Sequence, residues 1–224
     1  MKKLMLISIL FFVGCMPMTY SNLQSAKMLD KEEFEITPSI SKSLFSTGIG
    51  LQVSYGINHK YNLRGRLEKI IHKIPDDLAN DMGCHNCDNA PAILNHFSFG
   101  FKFPLVRDKS AFYLPISITK LPPETSDITI SSGKNLVRKN DVILMFEPTY
   151  LYTFSYKSID FHNSIKALYF IDSPKNFLLA LNLGFDLNRN SSKYIFRPEL
   201  GILTNLTFEG FFPQASIGVE INLN

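Results

Sequence analysis

The chain has 224 residues, 45% of them hydrophobic and 12% aromatic, and its formal net charge is +3 at pH 7. This charge is too small for the strongly basic surface of a nucleic-acid-binding protein, so no nucleic-acid partner is expected. After the N-terminus no apolar run is long enough for a transmembrane helix, so a membrane-integrated domain would have to be a closed β-barrel.

The N-terminus has the organisation of a secretory signal peptide. Two lysines precede an apolar run, residues 4–13, which is too short to span a membrane and ends at Gly14-Cys15. Residues 12–15, Phe-Val-Gly-Cys, resemble the lipobox of bacterial lipoproteins, with Phe12 in place of the usual Leu. The resemblance implies that Cys15 is acylated, palmitate included, and begins the mature protein. Ordinary cleavage near this point and an uncleaved anchor are the alternatives.

We therefore predict a signal peptide (residues 1–14), a polar lipidated tether (15–32) and a β-barrel domain (33–224). From residue 33 onwards, extended stretches with alternating apolar and polar side chains follow one another, and amphipathic helical spacing is nearly absent. The predicted strands are residues 34–41, 48–57, 61–70, 94–105, 111–121, 142–156, 159–171, 177–187, 194–206 and 211–223.

Connections between these strands are short at one end and mostly longer at the other. Residues 58–60 and 157–158 are short and polar, whereas residues 71–93 and 122–141 are long. Short periplasmic turns and longer external loops are typical of outer-membrane barrels. Prolines at positions 38, 104, 115, 148, 198 and 213 lie within the predicted strands, and we expect bulges or strand ends there because proline cannot donate to a ladder.

The two faces of the strands differ in composition. Phe97, Phe99 and Phe101 belong to one uncharged column, and Leu181 and Leu183 belong to another. Nearly all strand glycines lie on the opposite face, where the crowded interior of a narrow barrel would require them. We therefore assign the apolar face to lipid and the other face to the lumen. The predicted lumen charges are Arg64, Arg66, Lys102, Glu147, Lys166, Asp186, Arg197, Glu199 and Glu220.

The last strand, residues 216–223 (SIGVEINL), resembles the C-terminal signal through which outer-membrane barrels are recognised by the insertion machinery. Together with the lipobox and the strand pattern, it makes residues 33–224 similar to small bacterial outer-membrane β-barrel proteins. The resemblance implies an all-β, antiparallel, up-and-down closed barrel that spans the membrane, with about ten strands and eight to twelve allowed. It also implies an outer-membrane location, with outer-membrane lipid as a partner.

Cys84 and Cys87 are the most conspicuous residues of the loops. A haem attachment motif would place His after the second cysteine, where Asp88 stands, and a zinc site needs about four ligands. A local disulfide is therefore the preferred interpretation, and we expect neither a metal nor a cofactor.

No residues carry a catalytic signature. Asp160 and His162 have the spacing of an acid/His pair, but the topology places them at a periplasmic turn, and no Ser–His pattern is recognisable. We therefore expect no enzymatic activity. Lys134, Arg138 and Lys139 make residues 122–141 a basic external loop, which could contact a surface glycolipid or an acidic protein partner.

Three functions are compatible with these patterns. The leading hypothesis is a lipidated barrel with a structural or surface-interaction role, in which the external loops carry any specificity. The second is a narrow solute pore, and the third is a lipid-tethered, soluble, lipocalin-like binding barrel with the apolar columns inside. The residues that would line the pore are Arg64, Arg66, Glu147, Arg197 and Glu199.

Overall fold

The structure is a computed structural model and describes residues 21–44, 46–72, 92–120, 142–171, 177–187, 193–205 and 211–223. No helix in these ranges is long and apolar enough to cross a membrane. The strands are β1 (Phe34–Ser43), β2 (Ser46–Asn58), β3 (Tyr61–His72), β4 (Ala92–Val106), β5 (Ser110–Lys120), β6 (Val142–Phe146), β7 (Thr149–Tyr156), β8 (Ile159–Phe170), β9 (Phe177–Asp186), β10 (Tyr194–Asn205) and β11 (Phe211–Leu223).

Antiparallel pairing closes these strands into a ring. Each strand pairs with its neighbours along the chain, and β1 pairs with β11, with Phe34 opposite Leu223 and Ser43 opposite Gln214. β6 and β7 both lie between β5 and β8, so they are two pieces of one strand. The described strands therefore form a closed antiparallel barrel with ten strand positions, which confirms the predicted fold.

The break between β6 and β7 falls at Pro148, which has no N–H to donate. The register continues unchanged across it, with Phe146 opposite Ile116 and Thr149 opposite Tyr113. At Pro104 the register of β4 against β5 shifts. The expected bulge or strand end is thus found at these two prolines. At the other four the strand continues and stays paired with one neighbour, whereas the ladder to the other neighbour has a gap or ends at the proline: Pro38, Pro115, Pro198 and Pro213.

Apolar side chains cover the outside of the barrel wall. Phe99 is 43% exposed and Leu181 is 40% exposed, and their columns contain no charge. The charged residues of the same strands face inwards, because successive side chains of a strand alternate between its faces. This arrangement fits a wall surrounded by lipid and contradicts the lipocalin-like alternative, which requires the apolar columns to be inside.

The interior has two layers. Charged and hydroxyl side chains fill the half next to the short turns, as the sequence predicted. The half next to the longer connections combines apolar residues with buried polar side chains of β1, β2 and β3, such as Ser41, Ser46 and His72; the sequence prediction of a charged lumen did not include the apolar part. We name this apolar part the apolar cluster; its buried members are Ile70, Leu94, Ile143, Met145, Leu168, Phe170, Ala180 and Leu203, with Leu178 and Phe212 packed against them. The buried members come from six of the strands around the ring, and none of them lies on β1, β2 or β5.

Leu181 provides a test of the outward apolar face. It pairs with Ile165 and Ile202 near the middle of the wall, so Leu181→Arg would place a charge in the bilayer core. We expect the free energy of unfolding in lipid vesicles to fall by about 2–4 kcal/mol, against about 0–1 kcal/mol for Val106→Arg at the end of β4. Urea titration followed by tryptic protection measures both. Equal small losses at the two positions would contradict the lipid-facing assignment.

Candidate functional site

The polar half of the lumen is occupied by the chain itself. Residues 21–33, here called the N-terminal segment, form no strand or helix, and residues 21–26 are buried inside the barrel. The segment leaves the barrel at the rim formed by the short turns, where Asp30 lies 3.3 Å from His59. The sequence prediction made residues 15–32 a polar tether; within the described part of that range, residues 21–26 lie in the lumen and residues 30–32 are exposed at the rim.

Glu199 holds the inner end of this segment. Its two carboxylate oxygens accept the backbone N–H groups of Asn22 at 2.8 Å and Leu23 at 2.9 Å. Both contacts are buried and join residues that are far apart in the chain. A charged acceptor for two backbone donors is a strong hydrogen-bonding arrangement, and burial increases its strength. Glu199 therefore recognises the backbone of the segment rather than any particular side chain.

Arg197 connects the segment to the acidic side of the wall. Its guanidinium donates to the Leu23 carbonyl at 3.0 Å and to both carboxylate oxygens of Asp186, at 2.6 and 3.1 Å. The remaining contact is with Glu220 at 2.5 Å. Asp186 in turn lies 2.8 Å from His162 Nε2. Three different groups around one buried cation fix both its own position and that of Leu23, whose backbone is left-handed (φ 44°).

Three further cations on β3 and β4 donate to the segment. Arg66 donates to the carbonyl of Ser21, and Arg64 donates to the side-chain oxygen of Gln24. Lys102 donates to the carbonyl of Lys27, whose ammonium pairs with Asp160. On the opposite side, Thr153 Oγ1 accepts the Ala26 N–H at 2.8 Å. Wall side chains from several strands thus satisfy the backbone of a segment that belongs to no sheet.

Gly56 allows the outer end of the segment to pass close to the wall. The Glu32 N–H donates to the Gly56 carbonyl at 2.8 Å, and the Gly56 N–H donates to the Glu33 carbonyl at 2.9 Å. A Cβ at position 56 would lie 1.9 Å from the Asp30 carbonyl oxygen. On β11, a Cβ at Gly218 would lie 3.3 Å from a methyl carbon of Leu23. These inward glycines make space for the segment, which is the steric role that the sequence assigned to the glycine face in general.

All nine predicted lumen charges are buried inside the barrel. Arg64, Arg66, Lys102, Arg197 and Glu199 contact the segment directly, whereas Asp186 and Glu220 contact Arg197. Glu147 and Lys166 form a separate pair, 3.3 Å apart, between the segment and the apolar cluster. The Ser117 hydroxyl donates to Glu147, and His96 Nε2 lies 3.7 Å from it.

Several interior charges did not belong to the predicted set. Glu35 and Asp160 are buried on the inward face, and Lys27 of the segment pairs with Asp160. Glu68 lies on the same face as the predicted charges and accepts a hydrogen bond from Arg66 at 2.6 Å. The alternation of each strand provides the signal for Glu35 and Asp160. Nothing in the local pattern of residues 21–30 indicates that Lys27 would be in the lumen.

One arrangement among the described residues resembles a catalytic set, but its groups are held in structural contacts. His162 lies between the Thr153 hydroxyl, at 3.1 Å from Nδ1, and Asp186, at 2.8 Å from Nε2. This is the order of a nucleophile, a base and an orienting acid. However, Thr153 accepts the Ala26 N–H, Asp186 is held by Arg197, and all three side chains are buried beneath the segment. No group of three or more potential metal ligands occurs in the ranges that the structure describes.

A cavity of about 240 Å³ lies between the segment and strands β1, β9, β10 and β11, at the rim formed by the short turns. Its lining includes Glu33, Glu35 and Glu220 together with Lys27 and Arg197. Mixed charges and an opening at the rim suit a pocket of solvent beside the segment. Cys15, Cys84 and Cys87, and the basic residues Lys134, Arg138 and Lys139, lie outside the described residues, so their predicted roles stay predictions.

No family model and no curated protein match this chain. Solved structures with a similar fold are bacterial outer-membrane barrels. LpxR from Salmonella typhimurium has a TM-score of 0.51 at 8% identity, covering 84% of this chain and 99% of LpxR. Ail from Yersinia pestis has a TM-score of 0.40 at 8% identity, covering 86% of this chain and 100% of Ail. The N-terminal barrel domain of Pseudomonas aeruginosa OprF has a TM-score of 0.34 at 9% identity, covering 87% of this chain and 100% of that domain. At these identities the likeness concerns the fold alone. The chain therefore shares a closed β-barrel fold with LpxR.

Gly56 offers a test of the seated segment. In Gly56→Ala the new Cβ would collide with backbone atoms of Asp30, so we expect the segment to leave its place while the barrel stays closed. Trypsin should then cleave after Lys27 and Lys31 about tenfold faster in the folded variant, since local opening exposes the backbone. Cleavage is measured by mass spectrometry, and the closed state of the strand ring is verified by heat-modifiable gel migration.

Gly65→Ala is the matched control, because a Cβ there faces outwards and meets its nearest neighbour, Phe99, at 3.8 Å. Its cleavage rate should equal that of the unchanged protein. Equal cleavage of the Gly56 variant, the control and the unchanged protein would show that the segment does not depend on this contact.

Proposed function

We propose that this protein is a non-conducting outer-membrane barrel with a structural or surface-interaction role, and that its external loops carry any specificity. The observation that carries the proposal is the filled lumen. The N-terminal segment and its buried partners occupy the half next to the short turns, and the apolar cluster together with buried polar side chains such as Ser41, Ser46 and His72 occupies the other half. Side chains just fill a barrel of about eight strands, so ten strands leave little room beyond what these two layers take up.

The pore alternative is disfavoured by the same contacts. Arg64, Arg66, Arg197 and Glu199, which would line a pore, hold the segment instead. Displacing the segment would leave those buried charges without their partners, which is costly in a site of low dielectric constant. An ion would also have to cross the apolar cluster, where no described side chain could replace its hydration shell.

Planar-bilayer recording tests whether the lumen is closed to ions. We expect purified protein to give no regular conductance steps, under conditions in which an open porin inserted into the same bilayer conducts. Incorporation is verified by recovering the folded barrel from proteoliposomes made in parallel. A reproducible unit conductance that disappears in Arg197→Ala or Glu199→Ala, which alter the lumen, would overturn the proposal in favour of the pore.

The lipid anchor at Cys15 belongs to the same proposal and rests on the lipobox resemblance. Five residues lie between Cys15 and Ser21, and the six residue steps that join the two positions span about 20 Å when the chain is extended. This reach suffices to connect the middle of a barrel about 25 Å tall with a membrane surface. The chain length is therefore compatible with an acylated Cys15 and a seated segment in one molecule.

Mass spectrometry of the N-terminal peptide from exported protein tests the anchor. We expect a peptide that begins at Cys15 and carries acyl chains, and we expect Cys15→Ser to abolish labelling by a palmitate analogue. An unmodified N-terminus elsewhere would contradict lipidation while leaving the barrel and its closure unaffected. Activity as an enzyme is not part of the proposal, since no described group is both accessible and arranged for catalysis.

A further inference from the structure

The outward face of the described strands carries three charges, and all are lysines. Lys42, Lys69 and Lys120 lie on β1, β3 and β5, each near the strand end next to the longer connections. No acidic residue shares this outward face in the described strands. The rest of the wall, from β6 to β11, has no outward charge there. One arc of the barrel is therefore basic at a single end.

Lys69, Asn95 and Lys120 form a row across three adjacent strands, here called the lysine row. Lys69 lies opposite Asn95 in the β3–β4 pair, and Asn95 lies opposite Lys120 in the β4–β5 pair. With a strand spacing of about 4.8 Å, the backbones of the two lysines are about 10 Å apart. Flexible lysine side chains can converge on one group above Asn95 from that separation. All three side chains are exposed.

An apolar surface continues directly below this row. Leu67, Phe97 and Ile118 are aligned with one another in the same strands, two residues nearer the barrel middle, and all are exposed. The next aligned row contains Gly65, the one outward glycine of the described strands, beside Phe99. A Cβ at this position would meet its nearest neighbour, Phe99, at 3.8 Å, so the wall has room beside that ring. A cationic row above an apolar wall is complementary to an amphiphile with an anionic head and acyl chains.

The lysine row lies at the level of lipid headgroups. From Asn95 to Leu105 the outward column of β4 is otherwise apolar, and at about 3.4 Å per residue and a tilt of about 40° it spans about 26 Å along the membrane normal. That height matches the apolar band of an outer-membrane barrel, about 25 Å. A lysine is tolerated at this edge, whereas at the midplane it would be strongly destabilising.

The end that carries the row is the external one, because short turns face the periplasm and longer connections face outwards. Neither Lys69 nor Lys120 makes an ion pair with the part of the chain that the structure describes. Two unpaired ammonium groups beside an amide donor fit a phosphate, which accepts several charge-assisted hydrogen bonds. The amide of Asn95 can also bind a sugar hydroxyl.

We propose that Lys69, Asn95 and Lys120 bind the phosphate group of a glycolipid in the outer leaflet, with its acyl chains along Leu67, Phe97 and Gly65. The site is on the lipid-facing wall and is separate from the external loops, for which a glycolipid contact was already expected. It is also independent of whether the lumen conducts.

Native mass spectrometry of the detergent-solubilised full chain tests the site. The probes are a phosphorylated glucosamine-disaccharide glycolipid, its dephosphorylated counterpart and phosphatidylglycerol. We expect one phosphorylated glycolipid to be retained, and we expect K69Q/K120Q to bind it about thirtyfold more weakly, since each lysine near an anionic lipid surface makes a separate contribution. K69R/K120R keeps both charges and should retain binding.

K157Q/K193Q is the matched control, because these two exposed lysines lie at the opposite rim. Its affinity should stay within about twofold of the unchanged protein. Equal binding by K69Q/K120Q and the unchanged protein would overturn the site. Equal binding of the dephosphorylated glycolipid would remove the phosphate from the proposal, and equal binding of phosphatidylglycerol would overturn the assignment to a glycolipid.

Discussion

Lipid around the wall is the constraint on which the rest of the structure depends. A strand in contact with acyl chains must satisfy every backbone group within the ring, and it must turn its charged side chains inwards. The ring is closed by the β1–β11 pair, and the outward columns are apolar almost throughout. The interior must therefore accommodate all the polar side chains that the wall cannot expose. These side chains are packed so closely that each of them needs a hydrogen-bonding or ionic partner.

The N-terminal segment supplies partners for many of these buried polar side chains. Five cations of the wall are buried together with seven carboxylates, and the described strands alone do not satisfy their hydrogen-bonding groups. Backbone carbonyls of Ser21, Leu23 and Lys27 supply acceptors for Arg66, Arg197 and Lys102, and the amides of Asn22 and Leu23 supply donors for Glu199. The segment is thus part of the interior packing, because it satisfies buried charges that would otherwise lack partners.

The sequence predicts the wall well because lipid enforces strict alternation, which made the ten strand positions and the orientation of Phe99 and Arg64 readable. Alternation fails where both faces are apolar. Ile70-Ile71, Ile93-Leu94 and Leu178-Leu179 are such pairs, and they mark the apolar cluster in hindsight. Residues 21–30 have no periodicity, and their partners are spread over β3, β4, β7, β8 and β10. The position of the segment therefore depends on long-range contacts that no local pattern shows.

Hydrogen–deuterium exchange of the folded protein in lipid nanodiscs is the most direct measurement of the occupied lumen. The amides of Asn22, Leu23 and Ala26 donate to buried wall groups, so they should exchange as slowly as amides in the middle of β10 and β11. Exchange of these three amides at the rate of an unstructured peptide, while the strand amides remain protected, would contradict the account.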